Sequence, residues 1–204
     1  MKKLLVLTLL WGSIAAGCQT SDLNSTSQRS QLSSSPEAEP PAKTGDQVAA
    51  VSSTTAESQR SCQMSAYVID KDSQGLNVRS GPGKNYETID KLPTSAVAVF
   101  VDIKASQGEW VQVMKAESPE NVEFQGTGWV YAPLLGISTR GYGTEGVSVY
   151  ANASADSRVM GRIPPATEVK LLGCDQSWAL VNYEGLKGWI APEEQCPNPL
   201  TTCS

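Results

Sequence analysis

From Leu76 onward the chain alternates apolar and polar residues in short runs broken by turn formers. Leu76 and Val78 alternate with Asn77 and Arg79, the period of a strand with one buried face. Gly81-Pro82-Gly83 follows. Glycine supplies positive φ and proline fixes φ at about −65°, so a turn is expected there. Ile89, Leu92-Pro93, the run Val97 to Ile103, Trp110-Val-Gln-Val113 and Gly128-Trp129-Val130 continue the series. Short strands punctuated in this way predict a small all-β barrel.

The series then repeats. Val147-Ser-Val-Tyr150 stands 71 residues after Leu76-Asn-Val-Arg79, and Val159, Ile163-Pro164, Val169 to Leu172, Trp178 to Val181 and Gly188-Trp189-Ile190 follow in the same order. Repetition of a whole unit is stronger evidence than any one motif. The two Trp residues lie 19 apart in the first copy and 11 in the second. The extra length falls in Ala116 to Phe124, expected to be an extended hairpin tip. Glycines at 136, 141, 143 and 146 mark a connection between the copies.

The opening Leu76-Asn-Val-Arg-Ser-Gly-Pro-Gly83, the mid-domain Trp and the closing Gly-Trp-Val together resemble the bacterial SH3 (SH3b) family. The resemblance implies an all-β chain carrying two small SH3-like barrels in tandem. The expected boundaries are a leader over 1–17, a linker over 18–61, a first barrel over 62–136, a Gly-rich connection over 137–146 and a second barrel over 147–204. It further implies a ligand groove for peptidoglycan or its peptide stems.

The N-terminal segment changes where such a protein is expected to reside. Met1-Lys-Lys precedes an apolar stretch, Leu4 to Trp11, that is too short for a membrane span and fits a secretory leader. Ile14-Ala-Ala-Gly-Cys18 looks like the lipobox of bacterial lipoproteins, with Ala15 where Leu is commonest. That resemblance implies lipidation at Cys18 and a membrane anchor, and Gln19 favours the outer membrane, facing the periplasm. Each buried CH₂ of such an anchor contributes ~0.8 kcal/mol. Residues 20 to 61 are rich in Ser, Thr, Gln, Pro, Glu and Ala with no sustained apolar period, so a disordered linker is expected. A flexible chain of that length has a root-mean-square span of roughly 35 Å.

Charge and cysteine usage narrow the function. The chain carries 16 Lys and Arg against 21 Asp and Glu, and losing Lys2 and Lys3 with the leader makes it more acidic. Such a balance argues against nucleic acid as a partner. There is no histidine, which excludes Ser-His-Asp and Cys-His mechanisms. Cys62, Cys174, Cys196 and Cys203 show no C-x-x-C spacing, and with no histidine neither a metal nor another cofactor is expected. In an exported chain they read as disulfides with three possible connectivities. Cys174–Cys196 with Cys62–Cys203 is preferred, because the first bridge stays within one barrel and the second ties the chain ends.

If Val111 and Val113 face the core, Trp110 points the other way, and Trp178 does so in the second copy. Each ring then either caps a thin core or offers a face to a ligand. Trp129 and Trp189, between glycine and an apolar residue, weigh toward structural roles. Arg79 is a surface charge, a loop brace or a ligand contact. Arg, Tyr and Trp are enriched at binding hot spots, so the candidate ligand set is Arg79, Tyr86, Trp110 and Trp129 of the first barrel. The second barrel, with Tyr150, Asn152-Ala-Ser154 and Ser157 at the aligned places, departs from that pattern. The leading expectation is a non-catalytic envelope lipoprotein that binds peptidoglycan. A membrane-tethered scaffold for another envelope protein is the second reading. An enzyme with carboxylate-only chemistry, using for example Asp102 and Glu109, is the third and is not expected.

Overall fold

The computed structural model describes residues 57–198, 200, 201 and 203. The leader, Cys18 and nearly all of the linker lie outside the described residues. What is described is all-β and forms one continuous sheet. In the first barrel the strands are β1 (Arg60–Val68), β2 (Leu76–Arg79), β3 (Thr88–Leu92), β4 (Phe100–Gln107), β5 (Trp110–Glu117) and β6 (Val122–Tyr131). After a 3₁₀ turn over Ala132–Leu134 comes β7 (Leu135–Thr139). The second barrel continues with β8 (Val147–Tyr150), β9 (Val159–Ile163), β10 (Glu168–Asp175), β11 (Trp178–Tyr183), β12 (Leu186–Ile190) and β13 (Gln195–Cys196).

Strand β7 joins the halves. One of its edges pairs with β1, through Gly136 opposite Tyr67, and then with β13, through Ser138 opposite Cys196. The other edge pairs with β10, through Ile137 opposite Val169. Ile137 to Thr139, expected to open a Gly-rich connection, therefore lie in a strand. Gly136 is needed there for space, since a Cβ would stand 2.7 Å from Cγ2 of Ile69. The expected linker end at 61 also shifts, because β1 already begins at Arg60.

Alternation sorts the core as expected. Val78, Val101, Val111, Val113 and Val130 are fully buried in the first barrel, and Val149, Leu171, Val181 and Ile190 in the second. Each such side chain stabilises by ~1.5–3 kcal/mol. Leu135 and Ile137 of β7 are equally buried, and one hydrophobic cluster runs through both barrels.

The disulfides differ from the expected pairing. Cys62 of β1 bonds Cys174 of β10, 112 residues away, and Cys196 bonds Cys203. The physical reason is the packing of β10 against β1. Gln63 N donates to Gln176 O at 2.8 Å and Gln176 N to Ser61 O at 2.7 Å, which brings the two cysteines face to face. The first bridge thus staples one barrel to the other. Closing so long a loop stabilises by roughly 5 kcal/mol in the chain-entropy account, against roughly 2.5 for the short loop at the end.

Five residues further along β1, Tyr67 crosses the same junction. Its hydroxyl donates to Glu168 Oε2 at 3.2 Å and shares a 3.0 Å hydrogen bond with Ser138 Oγ, so β1, β7 and β10 meet in one side-chain network. Burial, reinforced by the Glu168 carboxylate and opposed by the Ser138 hydrogen bond, pushes this hydroxyl up to about 12. The unfolded chain loses this proton first, near 10, so the contribution is complete below pH 10 and is lost as pH rises toward 12. Urea melts over that window should show stability falling with pH, and Tyr67→Phe should remove part of the slope. An unchanged slope in the variant would contradict the burial of this hydroxyl.

Candidate functional site

The first barrel presents a groove of about 310 Å³ at the end of β2. Three local features build it. Strand β2 delivers Asn77 and Arg79 to the surface because Leu76 and Val78 turn inward. Strand β5 begins with Trp110, half-buried and turned away from the fully buried Val111 and Val113. The end of β6 places Tyr131 opposite Trp110 in register, with ring centroids 5.6 Å apart and planes tilted by 55°. Asp70, Asp72 and Lys84 complete the charged lining.

The loop after β2 is held by backbone bonds. Ser80 N donates to Glu87 O, Gly83 N to Gly81 O and Tyr86 N to Gly83 O. Neither Gly81 nor Gly83 adopts positive φ, contrary to expectation; that conformation falls on Gly75, just before β2, at φ 85°. The glycines of the loop supply space instead. A Cβ on Gly81 would run into the Tyr86 ring, and one on Gly83 would stand 3.3 Å from it. Arg79 braces the loop, its Nη1 donating to Tyr86 O at 2.8 Å. It forms no ion pair among the described residues, and it still lines the groove.

The expected ligand set therefore divides. Arg79 and Trp110 share the groove. Tyr86, 49% exposed, packs over Gly81 and Gly83 and joins the site only through its carbonyl. Trp129 is 5% exposed and belongs to the core, so it is withdrawn as a ligand residue. Both it and the neighbouring Val130 are buried, so this end of β6 is covered on both faces. Sequence reasoning missed Tyr131, Asp70, Asp72, Asn77 and Lys84. Tyr131 was detectable as the residue two beyond Trp129, but its place beside Trp110 depends on a β5–β6 register that sequence does not print. The loop aspartates are positioned by turns, Asp70 Oδ1 accepting from Asp72 N and Asp72 Oδ1 from Gln74 N.

Tyr131 donates to Glu109 Oε2 at 3.2 Å. Loss of water around the hydroxyl, and then the Glu109 carboxylate, raise its pKa, so at neutral pH it remains a hydrogen-bond donor. Among the described residues no group of three or more Asp, Glu or Cys is placed to hold a metal ion. In the second barrel Tyr150 takes the place of Arg79 and the buried Ala191 that of Tyr131. Trp178 there meets Tyr150 edge to face, 5.5 Å between centroids.

Fold and groove define a tandem of small β-barrel modules, the first with an aromatic cleft that carries charges of both signs. The bacterial SH3 domain family matches residues 74–136 and 145–194, more than half of the chain, and the chain belongs to that family. The chain is similar to YrvJ of Bacillus subtilis (strain 168), named as an N-acetylmuramoyl-L-alanine amidase, at 28% identity over 135 residues. That match covers 57% of this chain and 24% of YrvJ, so the chain spans about a quarter of the curated relative. Among solved structures it is similar to NlpC2 of Trichomonas vaginalis, with 17% identity, a TM-score of 0.28, and coverage of 65% of this chain and 47% of the other. For NlpC1 of the same organism the values are 15%, 0.29, 70% and 47%. The expectation that the chain is not an enzyme is corrected here, because the relative sharing this stretch is named as an amidase. The lack of histidine excludes histidine-dependent mechanisms within the chain, which is a narrower statement than the absence of catalysis.

Proposed function

We propose that the first barrel binds cell-wall peptidoglycan by its peptide stems, in the groove walled by Trp110 and Tyr131. The observation that carries this reading is the lining itself, two aromatic rings set among charges of both signs. Stem peptides are short, with aliphatic side chains and free carboxylates and amines. The rings suit the aliphatic parts, Arg79 and Lys84 suit carboxylates, and Asp70 and Asp72 suit amines. Family membership and the amidase name of YrvJ, which refers to the junction of muramoyl sugar and stem peptide, support the same polymer.

We propose further that Cys18 carries lipid and holds the barrels near a membrane of the bacterial envelope, the outer one facing the periplasm. The support is the leader and Cys18 pattern in the sequence. Wild-type protein should label with fatty acid and enter the detergent phase, and Cys18→Ser should do neither. A soluble, unlabelled wild-type protein would refute the anchor.

The groove is tested by co-sedimentation with insoluble peptidoglycan. Trp110→Ala should weaken binding by about 2 kcal/mol or more while the melt moves little. Trp129→Ala, which empties a core position, should instead cost about 3–5 kcal/mol of stability. Unchanged sedimentation of Trp110→Ala would remove the groove as the binding site. Failure of the wild type to sediment would move the account toward a protein partner in the envelope.

A further inference from the structure

A second groove, of about 480 Å³, lies between the two barrels. Its second-barrel side is Leu172 of β10 and Leu180 of β11, half-buried side chains on the outward positions of their strands. The aligned positions of the first barrel carry Lys104 and Gln112. The leucines stand on one copy only, where the other copy is polar, and give this groove an apolar wall.

Two cations border these leucines. Arg60 at the start of β1 lies over the Trp189 ring, 5.9 Å from its centroid, and Lys187 comes from β12. Neither makes an ion pair among the described residues. The groove also holds two carboxylates, but Glu109 already accepts the Tyr131 hydroxyl, and Glu57 lies over the Gly108 backbone. The walls are fixed, because Cys62–Cys174 is covalent and stands two residues from Arg60 on one strand and from Leu172 on the other.

The two grooves are neighbours. Glu109 lines the inter-barrel groove, and the ring of its partner Tyr131 lines the groove of the first barrel, so one hydrogen bond separates them. We infer that the inter-barrel groove is a second subsite beside the first, which takes the carboxylate-bearing end of the second stem when two stem peptides are cross-linked. Arg60 and Lys187 hold the carboxylate, and Leu172 and Leu180 carry the aliphatic portion. This rests on the peptidoglycan-peptide reading above.

The test uses calorimetry with two soluble fragments, a muropeptide carrying one stem and a dimer of two cross-linked stems. Wild-type protein should bind the dimer more tightly. Arg60→Gln combined with Lys187→Gln should lower affinity for the dimer roughly five- to tenfold, well beyond any loss for the single stem, and raised salt should narrow the same preference. Lys187→Gln alone, which leaves Arg60 on Trp189, should give part of the effect. Equal affinity of the wild type for both fragments, or equal losses for both in the double variant, would overturn the subsite. No binding of either fragment by the wild type would instead overturn the peptidoglycan reading itself.

Discussion

Strand β7 has to satisfy two barrels at once. Its backbone pairs with β1 and β13 on one edge and with β10 on the other, and its Leu135 and Ile137 enter a core that both halves share. A five-residue strand in that position can slip in neither direction. A shift by one residue would turn both side chains to the wrong face and put a larger residue where Gly136 makes room for Ile69. The staple Cys62–Cys174 ties β1 to β10, and the Tyr67–Ser138–Glu168 network spans β1, β7 and β10. Small barrels have thin cores, and here the junction supplies what each lacks alone.

Within that frame the two copies share a skeleton and differ in side chains. The backbone bonds of the loop after β2 recur 71 residues later, Ala151 N to Arg158 O, Ser154 N to Asn152 O and Ser157 N to Ser154 O. The tight glycines recur too. A Cβ on Gly75 or Gly146 would meet the carbonyl of Leu92 or Ile163, and one on Gly128 or Gly188 would meet Val78 or Val149. The copies therefore differ in their side-chain exchanges. Arg79 against Tyr150 and Tyr131 against Ala191 leave an open, charged cleft on one barrel and an aromatic pair on the other. Lys104 against Leu172 and Gln112 against Leu180 do the reverse at the junction.

What was legible in the sequence was whatever rests on local period. Alternation at Leu76–Arg79 and at Trp110–Val113 fixed the inward valines and turned Trp110 outward, and the second copy followed by repetition. What escaped depends on contacts distant in sequence. β1 carries a register shift between Ser61 and Met64, which breaks the period-2 signal, so its start read as linker. The disulfide partners are set by β1 meeting β10, a contact that cysteine spacing does not encode. Gly81 reads as a φ > 0 residue because glycine usually serves that purpose; here the Tyr86 ring decides. Trp129 stood in the candidate set on residue type, and its burial beside the buried Val130 is a tertiary outcome that local alternation does not show.

Through β7 and its neighbours the two barrels make one cooperative body. The most direct measurement is urea unfolding with the disulfides intact, followed by NMR at the amides of Val113 in the first barrel and Val181 in the second. Both residues are fully buried, one in each half. The account predicts coincident transitions with a single midpoint. Separate midpoints, with one barrel surviving where the other has unfolded, would contradict it.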